Sequence, residues 1–192
     1  MRSQLHRWLL AAGLTVMVGS AAAAVLLNPS ELSVETRAMA RVSTVTTGQS
    51  PTHLGIPAIG VSADVNSLGL TPKGYVQVPA DAHAVGWYEG SVVPGAPGAS
   101  VLLGHTSRTG HAVFNRLREL QAGDTVTVDR ADASIARYVV DRVASFNRSK
   151  FPTTQVYGPS SSPVLRLVTC AGLHDGRFTD NLIVFAHLEA PA

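Results

Sequence analysis

The sequence predicts a mainly β fold: a single closed barrel of seven or eight strands with one or two short helices, preceded by an N-terminal membrane helix. Short apolar runs recur from residue 51 onward and are separated by Gly and Pro, which is typical of strands joined by turns. Only residues 112–120 have an apolar face at helical spacing, formed by Val113, Leu117 and Leu120. The runs expected to be strands are residues 53–56, 63–68, 75–78, 101–103, 125–128, 136–146, 164–170 and 181–188.

Residues 1–27 are expected to form the membrane helix. Arg2 and Arg7 precede residues 8–27, which carry no charge and would span roughly 30 Å as a helix, the thickness of a bilayer core. The arginines predict a cytoplasmic N-terminus, so we expect a single-pass protein of the cell membrane with its folded domain on the extracellular side. The alternative is a signal peptide cleaved at the small residues 22–24.

Residues 28–50 and 51–192 are expected to be a flexible stalk and the folded domain. The stalk is rich in Ser, Thr and Ala and has no sustained apolar period. The net charge of +2 is carried by the first fifty residues, because eleven basic and eleven acidic residues balance in the remainder. This balance gives no reason to expect a nucleic acid as partner.

The chain has one cysteine, Cys170, at the end of an apolar run. An exported protein usually pairs its thiols or lacks them, so an unpaired one suggests a reactive group. The competing interpretation is a small buried side chain. Strand alternation places Leu165, Leu167 and Thr169 on one face and Cys170 on the other. The leucine face is the better core candidate, which favours a thiol that points to a groove or to the surface.

His105 is the strongest histidine candidate to serve a thiol nucleophile, which needs a base or a cation nearby. It follows an apolar strand and a glycine, the kind of strand end where catalytic side chains are displayed. On local sequence alone, His105 can equally be a polar residue that starts a turn. His111 lies six residues on without a carboxylate or thiol close by, so no metal site and no cofactor are expected. Residues 145–163 contain no Asp or Glu, which argues against a calcium site.

Several segments together resemble the sortases, most closely those of the actinobacterial classes E and F. Residues 102–110 (LLGHTSRTG) and 112–120 (AVFNRLREL) are similar to the histidine segment of that family, and residues 166–170 (RLVTC) to its TLxTC nucleophile motif. Residues 56–61 (IPAIGV) and 85–88 (VGWY) match its opening strands. The resemblance spans residues 51–189.

The resemblance implies a sortase-type barrel and a cysteine transpeptidase. Cys170 would attack an LPxTG-like sorting signal near the C-terminus of a secreted protein. The resulting thioester would pass to an amine acceptor on a peptidoglycan precursor or a pilin. His105 would protonate the leaving amine and deprotonate the incoming one.

The family's catalytic arginine has no direct counterpart in this chain. Where the related enzymes carry a pattern like Tyr-Arg-Asp-Asn, residues 178–181 are FTDN, with Thr179 in the place of the arginine. We expect Arg177 to take over the role, since it shares a face with Thr179. A two-residue turn at Asp175 and Gly176 would leave Arg177 about 13 Å along the strand from Cys170. A solvated loop arginine is the alternative.

Thr169 of the nucleophile motif, with Phe151 and Tyr157, is expected to contact the substrate. Phe146 and Val156 are further candidates for an apolar slot that takes the Leu-Pro part of the signal. Two other functions stay open. One is a sortase-like protein that binds sorting signals or pilins with weak or no catalysis. The other is an L,D-transpeptidase, whose Ser-His-Gly-Cys setting is missing around the cysteine.

Overall fold

Eight strands close into a barrel in the computed structural model, which describes residues 49–190. Around the barrel the order is β1-β2-β3-β4-β7-β8-β6-β5, and β5 pairs with β1 to close the ring. The strands are β1 (Pro51–Ile56), β2 (Val61–Leu68), β3 (Val85–Tyr88), β4 (Gly98–Gly104), β5 (Thr125–Arg130), β6 (Ile135–Asn147), β7 (Pro163–His174) and β8 (Arg177–Leu188). The predicted mainly β barrel is confirmed, with eight strands.

The expected membrane helix lies outside the described residues, as does most of the expected stalk. Within residues 49–190, no helix is long and apolar enough to cross a membrane.

The helix expected over residues 112–120 is wrong. Only a 3-10 turn at Leu117–Glu119 forms there, because the backbone N–H groups of Val113 and Phe114 bond to the distant carbonyls of Ala82 and His105. The α-helix that does form, α1 (Thr153–Tyr157), lies between β6 and β7. Two further 3-10 turns occupy Pro57–Ile59 and Arg148–Lys150.

The strand expected over residues 75–78 is also wrong. Residues 69–77 fold back on themselves through backbone hydrogen bonds from Gln77 to Gly69 and from Thr71 to Tyr75, with one bridge between Leu70 and Val76. These backbone groups therefore bond within the β2–β3 connection and do not join the barrel.

Two apolar clusters lie on opposite sides of β7. Leu165 and Leu167 are fully buried in the main cluster inside the barrel. Val168 belongs to a second cluster on the outside, which also contains Val156 of α1. The predicted division of this strand into two faces is confirmed.

A tight hairpin joins β7 to β8. His174 pairs with Arg177, so Asp175 and Gly176 form the two-residue turn predicted from the sequence. Both turn residues have positive φ, 46° and 75°, as a type I′ turn requires. This turn fixes the β7–β8 register, in which Cys170 lies opposite Asn181.

Candidate active site

A cleft of about 850 Å³ lies over the ends of β4 and β7. Its lining includes Cys170 and His105, which places the predicted nucleophile and the predicted acid–base group in one site. Chain segments distant in sequence form the walls: the β2–β3 connection, the end of β6 and α1. The lining is mainly apolar, with few polar groups, as is usual for ligand-binding sites.

Cys170 carries a free, half-buried thiol on the outer face of β7. Its neighbour across the hairpin is Asn181, which also lines the cleft. The thiol lies 3.7 Å from Nη2 of Arg148, which donates to the sulfur. The buried-thiol interpretation is therefore not supported by the position of Cys170.

His105 directly follows β4, the strand beside β7, and lies level with Cys170. β4 and β7 run parallel, and the pair Leu103 and Val168 is two residues before the histidine and the cysteine. The Thr169 hydroxyl donates a hydrogen bond of 2.8 Å to the Gly104 carbonyl and so ties the two strands together at this point. Adjacent strands are about 4.8 Å apart, so the two side chains extend into the cleft from neighbouring positions.

The imidazole of His105 is oriented by the β2–β3 connection. Its Nε2 lies 2.7 Å from the carbonyl oxygen of Pro79. Because a carbonyl only accepts, Nε2 carries the proton, and Nδ1 of the neutral ring is left as an acceptor.

Gly104 permits a close approach that places His105. A Cβ at this position would lie 2.4 Å from the ring of Phe114, which is buried in the main core. Downstream, the Asn115 side chain accepts from the backbone of Ser107 and donates to it, which holds the loop after the histidine.

The structure does not bring Arg177 to the cleft. Arg177 is exposed beside the hairpin turn, four residues from Asn181 along β8, or about 13 Å. Thr179, which occupies the family's arginine position, donates its hydroxyl to the Gly172 carbonyl at 2.8 Å.

Arg166 is also unavailable to the thiol. Its guanidinium donates to the backbone oxygens of Gln155 and Leu165 and stacks over the ring of Phe185. Burial lowers the pKa of Arg166 from its usual value.

Arg148 is the cationic residue that sequence reasoning missed. It opens the 3-10 turn Arg148–Lys150 after β6 and reaches the cleft although 22 residues separate it from the cysteine along the chain. The signal that locates it is the pairing of β6 with β8, in which Asn147 lies opposite Asp180. The sequence around Arg148 does not predict that pairing.

The predicted substrate-contacting residues are placed differently from one another. Phe151 and Tyr157 line the cleft with ring centroids 6.0 Å apart, and Tyr88 meets Tyr157 edge to face. Burial raises the pKa of the Tyr157 hydroxyl, and Tyr88 adds to the effect. Thr169 borders the cleft, but its hydroxyl is committed to Gly104.

The two further candidates for the apolar slot do not line the cleft. Phe146 and Val156 pack in the second cluster and are not part of the cleft lining. Their place in the slot is taken by the β2–β3 connection, where Tyr75 and Val78 are 71% and 65% exposed at the cleft rim.

Within residues 49–190, no group of three or more His, Cys, Asp or Glu side chains is arranged to hold a metal ion.

The family model of the sortase domain matches residues 54–189 of the chain. The chain belongs to the sortase family. Sortases are cysteine transpeptidases, so this protein is an enzyme of that class, and the resemblance noted in the sequence is confirmed at the level of the family.

Solved sortases have the same fold. Sortase C1 of Streptococcus agalactiae is 25% identical with a TM-score of 0.58, over 76% of this chain and 70% of that one. Sortase C-1 of Actinomyces oris is 21% identical, with a TM-score of 0.59 and coverage of 79% and 82%. A lid mutant of sortase A from Corynebacterium diphtheriae is 19% identical, with a TM-score of 0.59 and coverage of 74% and 71%. A comparison with curated protein sequences found no match.

Proposed function

We propose that this sortase cleaves an LPxTG-like sorting signal of secreted proteins through a thioester on Cys170 and transfers the protein to an amine acceptor. The observation that carries the proposal is the placement of Cys170 and His105 at neighbouring strand ends in one cleft of about 850 Å³. A nucleophile beside an acid–base group is the arrangement that acyl transfer requires.

In the first half of the reaction, the thiol of Cys170 gives its proton to His105, and the sulfur bonds to the Thr–Gly carbonyl carbon of the signal. The C=O electron pair moves onto the oxygen and then re-forms the double bond as the C–N bond breaks. The amine leaves with a proton from His105, and the thioester stays on the enzyme.

In the second half, His105 takes a proton from the incoming amine, whose nitrogen attacks the thioester carbon. The C–S bond breaks and the proton returns to the sulfur. One imidazole performs both transfers because its neutral form accepts a proton and its protonated form donates one. The Pro79 carbonyl holds the ring while it does so.

The proposal extends to location and acceptor. The uncharged residues 8–27 after two arginines support a membrane anchor with the barrel outside the cell. A peptidoglycan precursor or a pilin lysine is the proposed amine. The motifs quoted above support placement near classes E and F.

The test is transpeptidation of sorting peptides with an amine acceptor, measured for the full chain and for Cys170→Ala. We expect the wild type to form product and the variant to form none. A matched control is Gln121→Ala, an exposed residue outside the cleft lining. Unchanged turnover in Cys170→Ala would contradict the proposal.

The alternative function is binding of sorting signals without efficient catalysis. The observation in its favour is the distance of Arg177 from the cleft. Mass spectrometry separates the two, since a thioester adduct on Cys170 after mixing with peptide excludes pure binding.

A further inference from the structure

We propose that Arg148, directly after β6, is the cation that stabilises the Cys170 thiolate and the oxyanion, in place of Arg177, which the resemblance to sortases led us to expect as the catalytic arginine. The inference rests on the proposed function and adds a catalytic residue to it. Arg148 touches the reacting atom itself, because its Nη2 lies 3.7 Å from the sulfur.

Residue pairing across three neighbouring strands places Arg148 near the cleft. Cys170 on β7 pairs with Asn181 on β8, and Asn181 pairs with Phe146 on β6. Cross-strand partners present their side chains on the same face. The end of β6 therefore lies beside the cleft, two strands from the thiol.

The backbone at the end of β6 is held so that Arg148 turns back over β8. The Asn147 side chain accepts from the backbone N–H of Ser149 at 3.0 Å and donates to Asp180 at 3.4 Å. Nη1 of Arg148 donates to the carbonyl of Phe178 on β8 at 3.4 Å. One nitrogen thus anchors the guanidinium on β8 while the other faces the sulfur.

The two arginines nearest to Cys170 in the sequence are committed or distant. Among the cleft-lining residues that the structure describes, Arg148 is the one Lys or Arg. Arg166 is bonded to backbone oxygens under α1, and Arg177 lies beside the hairpin turn. The position opposite the cysteine is Asn181, an uncharged amide.

The chemistry needs a donor that does not lose its proton. A guanidinium stays charged and offers five N–H donors in a fixed plane. Before attack, Arg148 stabilises the sulfur anion. After attack, the negative charge lies on the former carbonyl oxygen. This oxygen is one bond from the carbon that the sulfur has attacked, so a small rotation of the Arg148 side chain lets the same N–H group donate to it.

The first test measures where the cation is, with no assumption about the sorting signal. Cys170 is the only cysteine, so its alkylation in the full chain is read directly by mass spectrometry. The rates with anionic iodoacetate and neutral iodoacetamide are compared in wild type, Arg148→Ala, Arg177→Ala and Lys150→Ala. Lys150 is a matched control, since it is an exposed cation of the same turn outside the cleft lining.

We expect Arg148→Ala to lower the iodoacetate-to-iodoacetamide ratio about two- to fivefold, as an exposed charge pair contributes up to about 1 kcal/mol. Lys150→Ala is expected to leave the ratio unchanged. An unchanged ratio in Arg148→Ala, or an equal fall in Arg177→Ala, would overturn the inference.

The second test is the rate of thioester formation with sorting peptides. Loss of one oxyanion donor costs about 100- to 1,000-fold, and Arg148→Lys is expected to recover part of the rate. Full activity in Arg148→Ala would overturn the inference while leaving the proposed function intact. A wild type that forms no thioester would count against the proposed function, whereas the alkylation ratio still decides which residue is the cation.

Discussion

The two faces of β7 show how one strand carries both stability and chemistry. On the inner face, Leu165 and Leu167 have no exposed surface and fill the barrel. On the outer face, Val168 packs in a smaller cluster, and two residues later Cys170 is half-buried in a cleft. The inner face is covered by the other strands of the barrel. The outer face is covered by α1 and by the last residues of β6.

The difference teaches that the proposed nucleophile has the sheet as its base and a connection between strands as its cover. The base is the β-ladder, in which Cys170 pairs with Asn181 of β8, and Val168, two residues earlier, pairs with Leu103 of β4. The cover is the β2–β3 connection, held to the site by the bond between Pro79 and His105. Changes to the inner face should therefore alter stability first, and changes to the outer face should alter the cleft.

The largest expected effect is on the inner face. Leu167→Ala leaves a cavity in the main core and should lower the free energy of unfolding by about 2–5 kcal/mol. Urea denaturation measures it, with transpeptidation at low temperature as the second readout. A loss of unfolding free energy below about 1 kcal/mol would contradict this expectation and show that the core repacks to fill the cavity at position 167.

A pH effect should also come from the interior. Burial raises the pKa of Tyr138 to about 12, and its hydroxyl accepts from Gly95 at 2.6 Å. The raised value stabilises the fold below pH 10, and the contribution is lost as pH rises towards 12. It amounts to at most about 2.7 kcal/mol.

Stability measured between pH 8 and 12 for wild type and Tyr138→Phe tests this point. The variant should lack this part of the alkaline decline, because it has no hydroxyl to ionise. Parallel curves for the two proteins would contradict the expectation.

Thr169→Val should have an intermediate effect that joins the two faces. The change removes the donor to the Gly104 carbonyl and should cost about 1–3 kcal/mol. It also loosens β4 from β7 where His105 begins, so thioester formation should slow as well. Thr169→Ser keeps the hydroxyl and serves as the control; equal losses in both variants would point to packing as the cause.

The smallest stability effect is expected on the outer face. Val168→Ala removes two methyl groups from the second cluster and should cost about 1.6 kcal/mol. Because Val168 also lines the cleft, the KM for sorting peptide should rise relative to the effect of Leu167→Ala. Comparable KM values in Val168→Ala and Leu167→Ala would mean that the inner and outer faces of β7 affect substrate binding equally.

Local pattern was enough for much of the barrel and for the position of the proposed nucleophile on the outer face of β7. Alternation along β7 placed Leu167 inside and the thiol outside, and the Asp175–Gly176 turn set the β7–β8 register. It failed for residues 75–78 and 112–120, where backbone groups bond to partners far from a regular ladder or helix. Such partners follow from tertiary contacts, which override propensity.

The sequence by itself determined the strand pattern, the lone cysteine and the histidine after its glycine, because each depends on neighbours along the chain. Only the tertiary structure decided which cation meets the thiol. Arg177 is seven residues from Cys170 in sequence yet is kept away by an extended hairpin, while Arg148 is brought near by the pairing of β6 with β8. The physical reason is that a strand separates its own residues by about 3.3 Å each, while a sheet brings distant segments within about 5 Å.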